Sequence, residues 1–134
     1  CIPKAILLAA AARVVGVPSR LRFSDVRNHI ATEKLLKLMR TDVFFFHGYT
    51  ELFINDKWLK VTPSFNLSLC EKFNVPPLEF DGKNDSVFHS FDKEGNKYME
   101  YMRDYGHFSD LPYDKMVSVF YEGYPHLMKK NIKG

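Results

Sequence analysis

The sequence predicts an α+β fold in which a cysteine-bearing helix packs on an antiparallel β-sheet, and three stretches carry that prediction. Ala5 to Val15 is almost wholly apolar and runs into Gly16 and Pro18, a glycine and a proline placed where a helix ends. Residues 43–62 form two β-rich runs folded about Asn55-Asp56, the composition of a hairpin turn. Between them, Ser19 to Arg27 alternates loosely, with Leu21, Phe23 and Val26 pointing inward.

The bulk properties agree with one globular domain. A chain of 134 residues, 46% hydrophobic and 15% aromatic, is too apolar to be disordered. Its net charge of +3 is spread along the chain, which points away from nucleic acid and from anionic membrane surfaces. No apolar run is long enough to span a bilayer. Two cysteines, Cys1 and Cys70, are too few for a disulfide framework and lack the spacing of a zinc site; no metal and no cofactor is expected. The chain opens on Cys1 without an initiator Met, so an N-terminal segment is expected to be missing, and with it any targeting signal.

In chain order, Pro3 suits the first turn of a helix, where its N–H has no internal partner. With only Lys4 and Arg13 breaking the apolar run, the helix is expected to be buried over most of its circumference. Cys1 then sits at a helix N-terminus, where the dipole favours a thiolate over a thiol. Such a cysteine reads either as a nucleophile or as a small buried apolar residue. After the first strand, Ser24, Asp25, Arg27, Asn28 and His29 are expected to form a polar exit, with His29 in a loop. Thr32 caps a short helix, Glu33 to Met39, whose Leu35, Leu36, Leu38 and Met39 are expected inside.

The hairpin follows. If its turn is the two residues Asn55-Asp56, His47 faces about Ser64 across the ladder, and Thr62 is its diagonal neighbour on the same face. Alone, His47 also reads as a histidine satisfied within a sheet. Beyond it a short helix from Leu67 to Phe73 carries Cys70, expected to be buried. Leu78 to Phe80 is expected as a strand, followed by a tight polar loop at 81–85. Residues 87–91 and 97–102 are expected to pair as a second hairpin around 93–96. Pro112 opens a last helix, Tyr113 to Glu122, with Met116, Val117, Phe120 and Tyr121 inward and with Gly123 and Pro125 ending it. His107 and His126 are expected at the surface.

Two of these stretches together resemble the transglutaminase-like superfamily. Cys1 leads an Ala-rich helix into Gly16-Val17-Pro18-Ser19-Arg20, similar to that family's cysteine helix and its G-[IV]-P-x-R exit. His47-Gly48-Tyr49-Thr50-Glu51-Leu52 is similar to its H-x-[WY]-x-E-[LV] strand, and Trp58 to Pro63 to its W-x-x-x-D-P return. Thr62 stands where the family has its aspartate, and Thr62-Pro63-Ser64-Phe65-Asn66 resembles a bacterial branch reading T-P-x-F-N. The resemblance implies a papain-like or transglutaminase-like core over the single domain 1–134. It also implies acyl transfer at amide bonds of a peptide or protein substrate, with Cys1 as nucleophile, His47 as acid–base partner and Thr62 orienting His47. Asn66 is an alternative orienter. A hydroxyl can fix the imidazole tautomer but cannot stabilise an imidazolium by charge; in serine proteases, neutralising the acid lowers the rate about 10⁴-fold. Two alternatives stand beside this reading. One is a binding module that keeps the groove without the activity, and the other is a hydrolase using the Cys1 α-amine as its own base. Oligomeric state and compartment are not legible.

Overall fold

The computed structural model describes residues 1–63 and 67–132. Its elements are α1 (Ile2–Val14), β1 (Ser19–Asn28), α2 (Glu33–Met39), β2 (Val43–Ile54), β3 (Lys57–Val61), α3 (Leu67–Lys72), β4 (Met99–Phe108), α4 (Tyr113–Gly123) and α5 (Pro125–Ile132). The four strands form one antiparallel sheet in the order β3-β2-β1-β4. On one face, α1 and α4 cover a core of Ala5, Ala9, Leu21, Phe23 and Phe46, with Met116 and Phe120 against it. On the other, Val26 and Met99 pack with Cys70, Val75, Phe88 and Tyr98 from the stretch between β3 and β4. The result is an α+β sandwich with the Cys-bearing helix on an antiparallel sheet, as expected.

α1 ends as its sequence demands. Gly16 takes φ 86°, its N–H bonds Arg13 O, and the Val17 N–H bonds Ala12 O at 2.8 Å, the paired bonds of a Schellman motif. Its burial differs from expectation. Only Ala5, Ala9 and Ala12 are buried, whereas Leu7 is 70% and Val14 86% exposed. Small residues face the sheet because the helix approaches it closely: the Thr50 hydroxyl donates to Ala5 O and the Ser19 hydroxyl to Ala9 O, both at 2.8 Å. A leucine stripe would hold the two layers too far apart for those bonds.

The hairpin follows the expected register. Asn55 and Asp56 both adopt positive φ, the backbone of a tight two-residue turn, and Ile54 pairs Lys57, Leu52 pairs Leu59 and Thr50 pairs Val61. Extending that ladder sets Tyr49 opposite Thr62; the expected partner of His47, Ser64, lies outside the described residues.

Several other elements depart from the sequence-based expectation. The expected polar exit at 24–28 is strand, because Asp25 and Asn28 find partners inside the fold: Asp25 accepts from Phe46 N–H, and Asn28 Oδ1 from Ile30 N–H. α2 matches its predicted bounds and cap, with Thr32 Oγ1 accepting from Leu35 N–H, yet it buries no residue and Leu38 is exposed. Residues 78–80 are extended without ladder pairing, so no strand forms there. Phe91 and Lys97 make one antiparallel bridge, but the strand that follows, β4, pairs with β1 along its length instead of folding back on 87–91. Tyr121 is exposed, and Pro125 starts α5 rather than ending the helical region, since proline is at home in a first turn. Cys70 is buried in α3, as expected.

Candidate active site

Cys1 is the N-cap residue of α1 and is exposed; its carbonyl accepts the first helical bond from Ala5 N–H at 3.0 Å. No acidic residue stands in the first turn to offset the positive end of the helix. The start of the helix rests on β2 at Gly48. A Cβ there would lie 3.2 Å from Ile2 Cγ1 and 3.3 Å from Ile2 Cα, so only glycine lets the two backbones approach this far. Ile2, the residue after Cys1, is thereby seated on the strand position after His47.

His47 follows a break in the ladder. Ser24 pairs with His47 but Val26 pairs with Phe44, so Phe45 and Phe46 together oppose Asp25, a β-bulge. Phe46 takes φ 57°, unusual for a bulky residue, and its ring stacks on Phe23 with centroids 4.2 Å apart. Residues 47, 49 and 51 then project to the face opposite α1, since Gly48, Thr50 and Leu52 face the helix. The imidazole is 3% exposed and lies among Phe88, Tyr49 and Tyr101, with ring centroids 5.0, 6.0 and 6.4 Å away. Burial pushes its pKa down to about 3, so the ring is neutral. Its Nε2 is sealed from solvent and has no hydrogen-bond partner.

Thr62 is also 3% exposed, and its Oγ1 is likewise sealed and unpartnered. Its N–H bonds Ser86 O at 2.8 Å, which fixes the backbone just beyond β3. The Tyr101 hydroxyl, which accepts from Phe88 N–H, comes near Thr62 without reaching hydrogen-bond geometry. His47 and Thr62 thus share a face of adjacent strands. α1 meets this strand at Gly48 through Ile2, and no hydrogen bond joins Cys1 to the imidazole. Asn66, the alternative orienter, lies outside the described residues.

Other residues around this site come from several elements. Tyr49, Tyr101 and Ser24 line a cavity of about 140 Å³ on the His47 face, with Lys60, Arg103 and Asp104 at its edge. Ser24 Oγ lies 3.2 Å from the Tyr49 hydroxyl. Tyr101 is 54 residues from His47 and belongs to the second strand of an expected hairpin that does not form, so no local pattern links the two. The motif residues also pair with one another. Glu51, 1% exposed, accepts from Arg20 Nε and from an Arg22 guanidinium nitrogen, both at 2.6 Å. Arg22 also pairs with Asp104, and the Arg20 guanidinium stacks 3.9 Å above Trp58. Burial raises the Glu51 pKa, but the two guanidiniums more than offset it and hold the carboxylate charged.

Among the described residues no three His, Cys, Asp or Glu side chains gather as a metal site, and no helix is long and apolar enough to cross a membrane. A search of curated proteins and a search of solved structures each returned no match. A family model does match: that of the transglutaminase-like superfamily, over residues 1–63, which include Cys1, the bulge, His47 and Thr62. That match covers just under half of the chain, and over those residues the sequence is similar to the transglutaminase-like superfamily.

Proposed function

We propose that the chain is one transglutaminase-like domain of the T-P-x-F-N branch that transfers or hydrolyses acyl groups at amide bonds of peptides or proteins. The observation that carries this is the pair of sealed, unpartnered polar atoms, His47 Nε2 and Thr62 Oγ1, on the sheet face opposite α1. Leaving a buried polar group unpaired costs about 1–3 kcal/mol, and a site that accepts this twice is arranged for something other than stability.

In this reading Cys1 Sγ attacks the substrate carbonyl as His47 takes the thiol proton. The tetrahedral intermediate collapses to a thioester, and the leaving amine departs with the proton held by His47. Water or a second amine then attacks the thioester, gives its proton to His47, and releases the product as that proton returns to sulfur. For turnover Thr62 Oγ1, unpaired in the structure, must close on Nε2–H to fix the tautomer and leave Nδ1 for the cysteine.

A second reading, a binding module without turnover, is favoured by the strongly lowered pKa of His47 and by the absence of a bond between it and Cys1. Acylation separates the two. With p-nitrophenyl acetate as probe, mass spectrometry should find an acetyl group on Cys1 and not on Cys70. His47→Ala should slow that acylation about 10²-fold or more. Acylation that ignores His47, or that favours Cys70, refutes the catalytic reading. Adding a primary amine to the acylated protein then tells transamidation from hydrolysis.

A further inference from the structure

We propose that Asp25 is a positioning residue: it clamps the β2 bulge and thereby aims His47. The description of His47 as a catalytic partner rests on the proposed function; the clamp itself rests on the following geometry. A bulge leaves backbone donors without ladder partners, and here both are taken by side chains from elsewhere in the fold. Phe46 N–H donates to Asp25 Oδ1 at 3.1 Å, and Phe45 N–H donates to the Tyr124 hydroxyl at 2.7 Å. Asp25 is in turn held by the Tyr105 hydroxyl, 2.9 Å from each carboxylate oxygen. Tyr124 donates its own proton to Val43 O at 3.0 Å, which ties the bulge back to the start of β2.

The fit around Phe45 is equally close. A Cβ on Gly123, at the end of α4, would lie 2.7 Å from Cγ of the Phe45 ring, so glycine is required for the helix to seat there. Three elements outside β2, namely β1, β4 and the α4–α5 junction, therefore hold two consecutive residues of it.

The held backbone is also the strained one. A bulky residue at positive φ is unfavourable and persists only where its surroundings impose it. Its consequence is directional. Because side chains alternate along a strand, a bulge is what allows the segment before it and the segment after it to keep their own registers with β1. Without it, either Phe44 loses its pairing with Val26 or His47 turns away from Thr62. Asp25 is buried and accepts from two neutral donors, an arrangement that places a carboxylate in the interior chiefly to fix this one amide.

The test uses Asp25→Ala, Asp25→Asn and Tyr105→Phe in the full chain, with two readouts on each. One is the NMR titration of the His47 ring, which is faced by Tyr49 on its own strand and Tyr101 on β4. The other is the rate of Cys1 alkylation by iodoacetamide. Asp25→Ala should move the His47 titration up by about one to two pH units toward the ordinary histidine value, as the ring leaves its sealed position. It should slow Cys1 alkylation about tenfold. Asp25→Asn keeps an oxygen for Phe46 N–H and should stay near wild type in both. A folded Asp25→Ala protein with both readouts unmoved overturns the clamp. If that variant does not fold, Tyr105→Phe decides, with a smaller shift in the same directions expected and unchanged values refuting. Should wild-type Cys1 alkylate no faster than a free thiol while Asp25→Ala still moves the His47 titration, the clamp stands and the acyl-transfer reading falls. Fast wild-type alkylation, with neither readout sensitive to Asp25, removes the clamp and leaves acyl transfer standing.

Discussion

Consider acidification from pH 7 to pH 5 of the wild-type protein beside a His47→Gln variant. His47 is neutral in the fold because its pKa is pushed down to about 3, while in the unfolded chain it titrates near its ordinary 6.5. Between those values the unfolded state binds a proton that the native state refuses, so stability present above about pH 6.5 is lost as pH falls toward 3. Linkage gives a loss of about 2 kcal/mol between pH 7 and pH 5 from this ring alone. The figure hardly depends on how far below 5 the native value lies. For a domain of this size it corresponds to roughly 5–10 °C in Tm. The depressed carboxylates, Glu51 among them, stay charged in both proteins across this window, and the remaining histidines are common to both. Urea unfolding at several pH values should therefore show the wild type losing about 2 kcal/mol more than His47→Gln. Parallel curves would mean that the imidazole is solvated and titrates normally, and the sealed site would be wrong.

Three further outcomes follow from the same geometry. Gly48→Ala pushes a methyl group against Ile2 and Phe23 and should destabilise by about 1–3 kcal/mol, with Cys1 alkylation slowed because the start of α1 must lift; unchanged alkylation would place Cys1 elsewhere. Thr62→Val removes a buried hydroxyl that has no partner, so stability measured by urea unfolding should hold or rise while Cys1 reactivity falls about ten- to a hundredfold; a variant as reactive as wild type would exclude Thr62 as orienter. Glu51→Gln leaves Arg20 and Arg22 without their shared carboxylate and should cost about 2–4 kcal/mol in denaturant unfolding, the partial exposure of both arginines keeping it below a fully buried break.

The first half of the chain is the more legible because its signals are local. Gly16 and Pro18 stop α1, and Asn55-Asp56 sets a register that needs no information from elsewhere. What local pattern does not show is which side of α1 faces the sheet. Leucine outweighs alanine in hydrophobicity, yet Ala5, Ala9 and Ala12 are buried while Leu7 is exposed, since two hydroxyls on the sheet require the helix backbone near. A lone carboxylate in sequence looks solvated, which is why Asp25 reads as part of a polar exit. Its partners, Phe46 N–H and Tyr105, lie 21 and 80 residues away. In the second half, the strand that fails to form at 78–80 and the hairpin that opens to give β4 share a cause. Short apolar runs fix no partner, and β1 offers β4 a full edge. For the site, His47 and Thr62 are legible as neighbours from the hairpin alone, whereas Tyr101, brought in by β4, is not.

The cluster of Arg20, Glu51 and Trp58 changes what a family signature can mean. These three letters sit in three separate motifs, yet Arg20 touches both Glu51 and Trp58, and none of them contacts Cys1, His47 or Thr62 in the bonds described. They act as a rivet: a carboxylate locked between cations, with an indole lid on one of them. A descendant that had lost its cysteine would still need the rivet to keep three strands aligned, and would still spell it. Recognition by these letters therefore measures inheritance of a scaffold and is blind to whether the scaffold still turns anything over. Only the residues that hold nothing together, Cys1 and the two silent polar atoms on the far face, can report that.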